Sequence, residues 1–79
     1  MNDKILNRIK STYPEGTRVR LVQMDDPRPV PVGMLGTVLD VDDIGSLLVS
    51  WDNGQSLNIL YGIDSVVKVE PDRDRSEER

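Results

Sequence analysis

Carboxylates dominate the reactive chemistry of this 79-residue sequence. It holds fourteen Asp and Glu against ten Lys and Arg, with no His and no Cys. Zinc and iron sites rely on imidazole or thiolate, so the sequence implies neither metal. Two acidic groups have spacing that could do chemistry. Asp25 and Asp26 stand together before Pro27, where two carboxylates can meet a metal or a basic side chain. Asp40, Asp42 and Asp43 precede Ile44-Gly45 and superficially resemble a calcium loop. An EF-hand needs Glu at its twelfth position, and the twelfth residue from Asp40 is Trp51. Asp in a turn closed by Gly is the simpler reading there. Ser and Lys occur, but no motif sets a nucleophile beside a base. The expectation is a protein that is not an enzyme, with no cofactor and no bound metal.

Those residues must be carried by one small domain. A chain this short buries only about 60% of its unfolded surface, so its core is thin. The net charge of −4 opposes DNA or RNA as a direct partner, because backbone binding relies on concentrated Lys and Arg. It suits a basic protein surface, or solubility alone. No long apolar run follows Met1-Asn2-Asp3-Lys4, so no membrane contact is expected and the expected compartment is the cytoplasm. Trp51, Tyr13 and Tyr61 are the only aromatics. That is too few for a proline-peptide groove or a base-stacking surface.

Three regions follow from the pattern. Ile5, Leu6 and Ile9 form one apolar face and predict a helix within residues 1–12, capped by Asn2 or Asp3 and ended before Pro14. Residues 13–70 are rich in β-branched side chains and punctuated by Gly and Pro. They predict strands near 17–23, 36–42, 46–51, 56–60 and 66–69. Residues 71–79 carry no apolar side chain and are expected to be disordered. Between the first two strands lies a long loop, 24–33, with Pro27, Pro29 and Pro31 at alternate positions. Proline there removes backbone donors and stiffens the loop.

The turns set the register. A two-residue Asn53-Gly54 loop would oppose apolar and polar faces. A three-residue loop, Asp52-Asn53-Gly54, pairs Val49 with Leu57 and Leu47 with Ile59. A three-residue Asp43-Ile44-Gly45 loop likewise pairs Val41 with Leu47 and Leu39 with Val49. The predicted core is therefore Leu39, Val41, Leu47, Val49, Trp51, Leu57 and Ile59, with Val19, Leu21, Val67 and Val69. The other face carries Val38, Asp40, Leu48, Ser50, Asn58 and Leu60. Its apolar half invites a helix or a partner. The predicted fold is an all-β, five-stranded SH3-like barrel with a short N-terminal helix.

An ordered set of motifs spans residues 13–69. They are Tyr13-Pro14-Glu15-Gly16-Thr17, Met24-Asp25-Asp26-Pro27, Gly36-Thr37-Val38, Val41-Asp42-Asp43-Ile44-Gly45, Val49-Ser50-Trp51-Asp52-Asn53-Gly54 and Gly62-Ile63-Asp64. The set resembles a bacterial family of small domains of unknown function, common in phages and conjugative elements. Gly36-Thr37-Val38, the Trp51-Asp52-Asn53-Gly54 hairpin and Tyr61-Gly62 are also similar, more loosely, to the Mind bomb domain. That is an SH3-like, peptide-binding domain of eukaryotic ubiquitin ligases, with one more residue between the Tyr and the Gly. The bacterial family carries no known activity or ligand, so that resemblance adds context and no site. The expected role is a protein-binding module of a phage or mobile element, acting on a host protein. Contact candidates are Met24, Asp25, Asp26, Pro27 and Arg28 in the long loop, with Leu48 and Leu60. The alternative is an acidic inhibitor that mimics DNA through Asp25, Asp26, Asp40, Asp42 and Asp43. Self-association through open sheet edges is a third reading.

Overall fold

The computed structural model describes residues 2–69. The tail expected at 71–79 lies outside the described residues. A single helix, α1 (Asp3–Thr12), precedes four strands, β1 (Arg18–Gln23), β2 (Leu35–Val41), β3 (Leu47–Trp51) and β4 (Ser65–Lys68). The Asn2 carboxamide caps α1, accepting from the Lys4 and Ile5 N–H groups at 2.7 and 3.4 Å. Ten residues are too few for a helix that is stable alone. Its face is held instead by Leu6 and Ile9, which pack with Tyr13 against the sheet's core.

The strands form one antiparallel sheet in the order β3-β2-β1-β4. It is open and four-stranded, where the sequence pattern implied a closed barrel of five. The difference lies in residues 56–60. The Trp51 N–H donates to the Gln55 carbonyl at 3.0 Å, and Leu47 and Ile59 exchange both backbone bonds at 2.9 Å. These contacts follow the expected pairing. Between them the Trp51 indole N–H takes the Leu57 carbonyl at 2.8 Å. The segment touches β3 at its ends and forms only an isolated bridge.

Both turns are three-residue loops. Gly45 and Gly54 sit at φ +82° and +94°, a region closed to most side chains. Their N–H groups donate to Asp42 and Trp51 carbonyls at 3.0 and 2.9 Å. Past the first turn the expected pairing holds for Val41↔Leu47 and Asp40↔Leu48, then shifts: Val38, not Leu39, faces Val49. Leu39 is the extra residue of a β-bulge, 53% exposed, and Val38 enters the core in its place. A second correction concerns β4. Val66 opposes Leu21 and Val67 opposes exposed Arg20, so Val66 packs inward and Val67 is 45% exposed. Val69 is half-buried. The remaining predicted positions Val19, Leu21, Val41, Leu47, Val49, Trp51 and Ile59 are buried, and Leu57 packs against them. Val30, from the long loop, is a further buried residue that the strand pattern did not include.

Gly36 faces Trp51 across the β2–β3 ladder. A methyl group there would stand 2.7 Å from the indole Cε3 and 2.8 Å from Val49 Cγ1. The bare backbone of β2 at Gly36 is what leaves room for the indole. Among the described residues, no helix is long and apolar enough to cross a membrane.

Candidate functional site

The long loop between β1 and β2 is pinned at both ends. At its start, the Asp25 N–H donates to Asp64 Oδ1 at 2.8 Å. At its end, Val30 is buried and its N–H points to the Met24 sulfur at 3.5 Å. Gly33 then rejoins the sheet by donating to the Leu21 carbonyl at 2.8 Å. Between these tethers residues 26–29 form an arch with Pro27, Arg28 and Pro29 exposed; beyond Val30, Pro31 and Val32 are exposed as well. Asp26 shapes that arch: its Oδ1 accepts the Arg28 N–H at 2.8 Å, an Asx turn.

The arch faces the segment that follows β3. Asp26, Pro27 and Arg28 on one side and Gln55, Ser56 and Leu57 on the other line an open, shallow cleft of about 440 Å³. Three of the expected contact residues thus share one surface. Met24 does not join them. It is half-buried and packs on the core, where apolar chemistry gives it a structural task. Asp25 is exposed, with its backbone committed to Asp64. Leu48 is half-buried on β3 opposite Asp40, and Leu60 is exposed after the isolated bridge.

The other aspartates serve separate local structures. Asp42 Oδ1 accepts from the Ile44 and Ser46 N–H groups at 3.1 and 2.9 Å, which holds the β2–β3 turn. Asp40 Oδ1 accepts the Val41 N–H at 2.8 Å beside the bulge. It borders a shallow depression of about 180 Å³ with Lys10, Tyr13 and Glu15. Asp43 is exposed at the turn. Among the described residues, no three acidic side chains converge in a metal-ligating arrangement.

Sequence reasoning missed three features here. The first is Asp64, whose Gly62-Ile63-Asp64 setting was visible but without a role. The second is a groove of about 390 Å³ between α1 and the chain after Ile59, lined by Ile9, Tyr13, Leu47, Ile59, Tyr61 and Val66. No periodicity in the sequence brings these elements together. The third is a fork-to-fork pair. Arg18 Nη1 and Nη2 donate to Asp52 Oδ1 and Oδ2 at 2.9 and 2.7 Å, and Nη1 also reaches Thr37 Oγ1 at 2.8 Å. Hydrogen bonding to Arg18 holds the Asp52 carboxyl below the usual carboxylate range, against a smaller opposing desolvation effect. The same bond raises Arg18. The pair links β1 to the β3 turn across β2, and no sequence spacing of 34 residues announces it.

Comparison with known families gives a match over the described residues. The pattern described as "Domain of unknown function (DUF4314)" covers residues 2–69. No curated protein and no solved structure matches the chain.

Proposed function

The chain belongs to the DUF4314 family of domains of unknown function, and we propose that it is a non-enzymatic protein-binding module. In this reading it serves a phage or mobile genetic element and acts on a protein of the bacterial host, in the cytoplasm. The frame is read as SH3-like. β1 lies between β2 and β4, and the chain after β3 flanks the far edge through Leu47 and Ile59. That arrangement leaves the long loop beside the post-β3 segment.

The observation that carries the proposal is the cleft of about 440 Å³ between Asp26-Pro27-Arg28 and Gln55-Ser56-Leu57. Long loops on rigid frames are where binding residues concentrate. An arch tethered at both ends has already lost much of its freedom, so little ordering entropy remains to oppose binding. Pro27 and Leu57 offer apolar contact, and Asp26 and Arg28 offer charges of both signs for orientation. The absence of His and Cys from the whole sequence supports binding over catalysis.

The test uses replacements that leave the frame alone. Asp26→Ala is a poor choice, since it also removes the acceptor for the Arg28 N–H. Arg28→Glu with Ser56→Lys changes only exposed side chains that line the cleft and keeps the prolines of the arch. Proteins captured from host lysate by the wild type are expected to be lost with this double variant, at an unchanged melting temperature. Retention of the same proteins would remove the cleft from the contact surface. Charge reversal at Asp40 and Asp43 supplies the other arm. Loss of capture there, with binding that falls steeply as salt rises, would favour the acidic inhibitor.

A further inference from the structure

The geometry points to Asp64 as the positioning residue of the cleft: its carboxylate is a releasable anchor that sets where the arch stands. Its two oxygens serve two different parts of the chain. Oδ1 accepts the Asp25 N–H at 2.8 Å and Oδ2 accepts the Leu60 N–H at 2.9 Å. The Asp64 N–H in turn donates to the Leu60 carbonyl at 3.0 Å, and Ile63 donates to the same carbonyl at 3.1 Å. The turn from Leu60 to Asp64 is thus closed by side chain and backbone together. One oxygen is left to reach across to the loop.

The place of this bridge gives it its effect. Asp64 immediately precedes β4, and Asp25 lies two residues past the end of β1. The β1–β4 ladder shifts register between Leu21 and Gln23, just before the two chains part. Beyond Gln23 and Ser65 no ladder pairing ties them, and the carboxylate takes over that task. The two anchors of the arch differ in kind. Val30 is 1% exposed and moves only with the core. The Asp64 bond to Asp25 is polar and solvent-accessible, so water competes for it as it cannot for the buried Val30. Loss of this bond therefore frees residues 25–29 at one end while the sheet stays intact. Pro27 and Pro29 make the arch stiff, so release at one end swings it as a unit rather than crumpling it. The anchoring follows from the geometry alone; its importance for recognition rests on the cleft being the contact surface.

The experiment needs no partner. Amide hydrogen exchange and backbone relaxation are measured by NMR on the wild type, Asp64→Ala and Asp64→Asn. Asp64→Ala removes both acceptors. Asp64→Asn keeps one acceptor oxygen and turns the other into a donor, so it decides the matter if the alanine variant does not fold. In Asp64→Ala the Asp25 and Leu60 amides should both exchange roughly tenfold faster or more, as loss of a charge-assisted bond implies. Asp26 and Arg28 should become mobile on the nanosecond scale, while the amides of Val19, Val38 and Val49 keep their protection. In Asp64→Asn the one remaining acceptor oxygen is expected to stay with the Leu60 N–H of its own turn, so the Asp25 amide should lose protection. A purely local role in the 60–64 turn predicts a change at Leu60 alone. Unchanged Asp25 and Arg28 in both folded variants would overturn the proposal. If the arch loosens and the capture experiment is unaffected, the anchor stands and the cleft is not the contact surface.

Discussion

At the scale of single residues, the most demanding contact is the one that no side chain makes. A Cβ on Gly36 meets Trp51 Cε3 at 2.7 Å and Val49 Cγ1 at 2.8 Å, and both neighbours are buried without room to retreat. Gly36→Ala is expected to cost about 1–3 kcal/mol by overpacking, read as a lower urea midpoint with little change in slope. A Gly at the start of a Gly-Thr-Val strand was legible in the sequence, but its neighbour was not. Only the pairing Gly36↔Trp51 shows why the position is bare. Asp52 gives a second expectation. Its carboxyl lies below the usual range because Arg18 hydrogen-bonds to it. A lowered folded value contributes stability above the unfolded one and loses it as pH falls through the folded one. Arg18 is raised, so its own contribution fades only at strongly alkaline pH. The melting temperature of the wild type should therefore exceed that of Arg18→Gln near neutral pH. The gap should shrink as pH falls below the ordinary carboxylate range of about 4, and should narrow in high salt because the pair is exposed. A constant gap across that range would detach the pair from stability.

At the scale of elements, the bulge in β2 explains most of what the sequence pattern concealed. Thr37-Val38-Leu39-Asp40-Val41 contains two apolar neighbours, and strict alternation backward from Val41 selects Leu39. Alternation forward from Gly36, which faces Trp51, selects Val38 instead. The strand satisfies both ends by inserting one residue, and Leu39 is the one left outside. The turn at Gly45 was legible because only a residue tolerant of positive φ fits there; the bulge requires no such residue and leaves no mark. Val38→Ala should then cost about 2 kcal/mol through lost burial and an unfilled space, and Leu39→Lys should stay within about 0.5 kcal/mol. Thermal or urea unfolding of the two variants decides between the registers, since the unbulged strand predicts the reverse order. Val30 was hidden for a different reason. Three alternating prolines identify a stiff connector, and that description is correct for the backbone while silent about the one valine that turns inward.

At the scale of the whole molecule, the β-rich frame and the N-terminal helix were readable from turn residues and apolar spacing. Barrel closure was not. Closure depends on whether residues 56–60 take up a full ladder, and here the Leu57 carbonyl accepts the Trp51 indole N–H while only Leu47 and Ile59 bridge. The candidate site was half readable for a similar reason. The loop's length and prolines marked it, but its far wall, Gln55 to Leu57, and its anchor, Asp64, come from distant parts of the chain. The way this loop is fastened also bears on how such a chain can change over generations. Pro27, Arg28 and Pro29 are exposed, between a backbone held by Asp64 and a valine held by the core. Substitutions at these three positions touch no buried volume and no turn glycine. A lineage can therefore redirect what the arch meets by ordinary point mutation, and leave untouched the thin core on which survival of the fold depends.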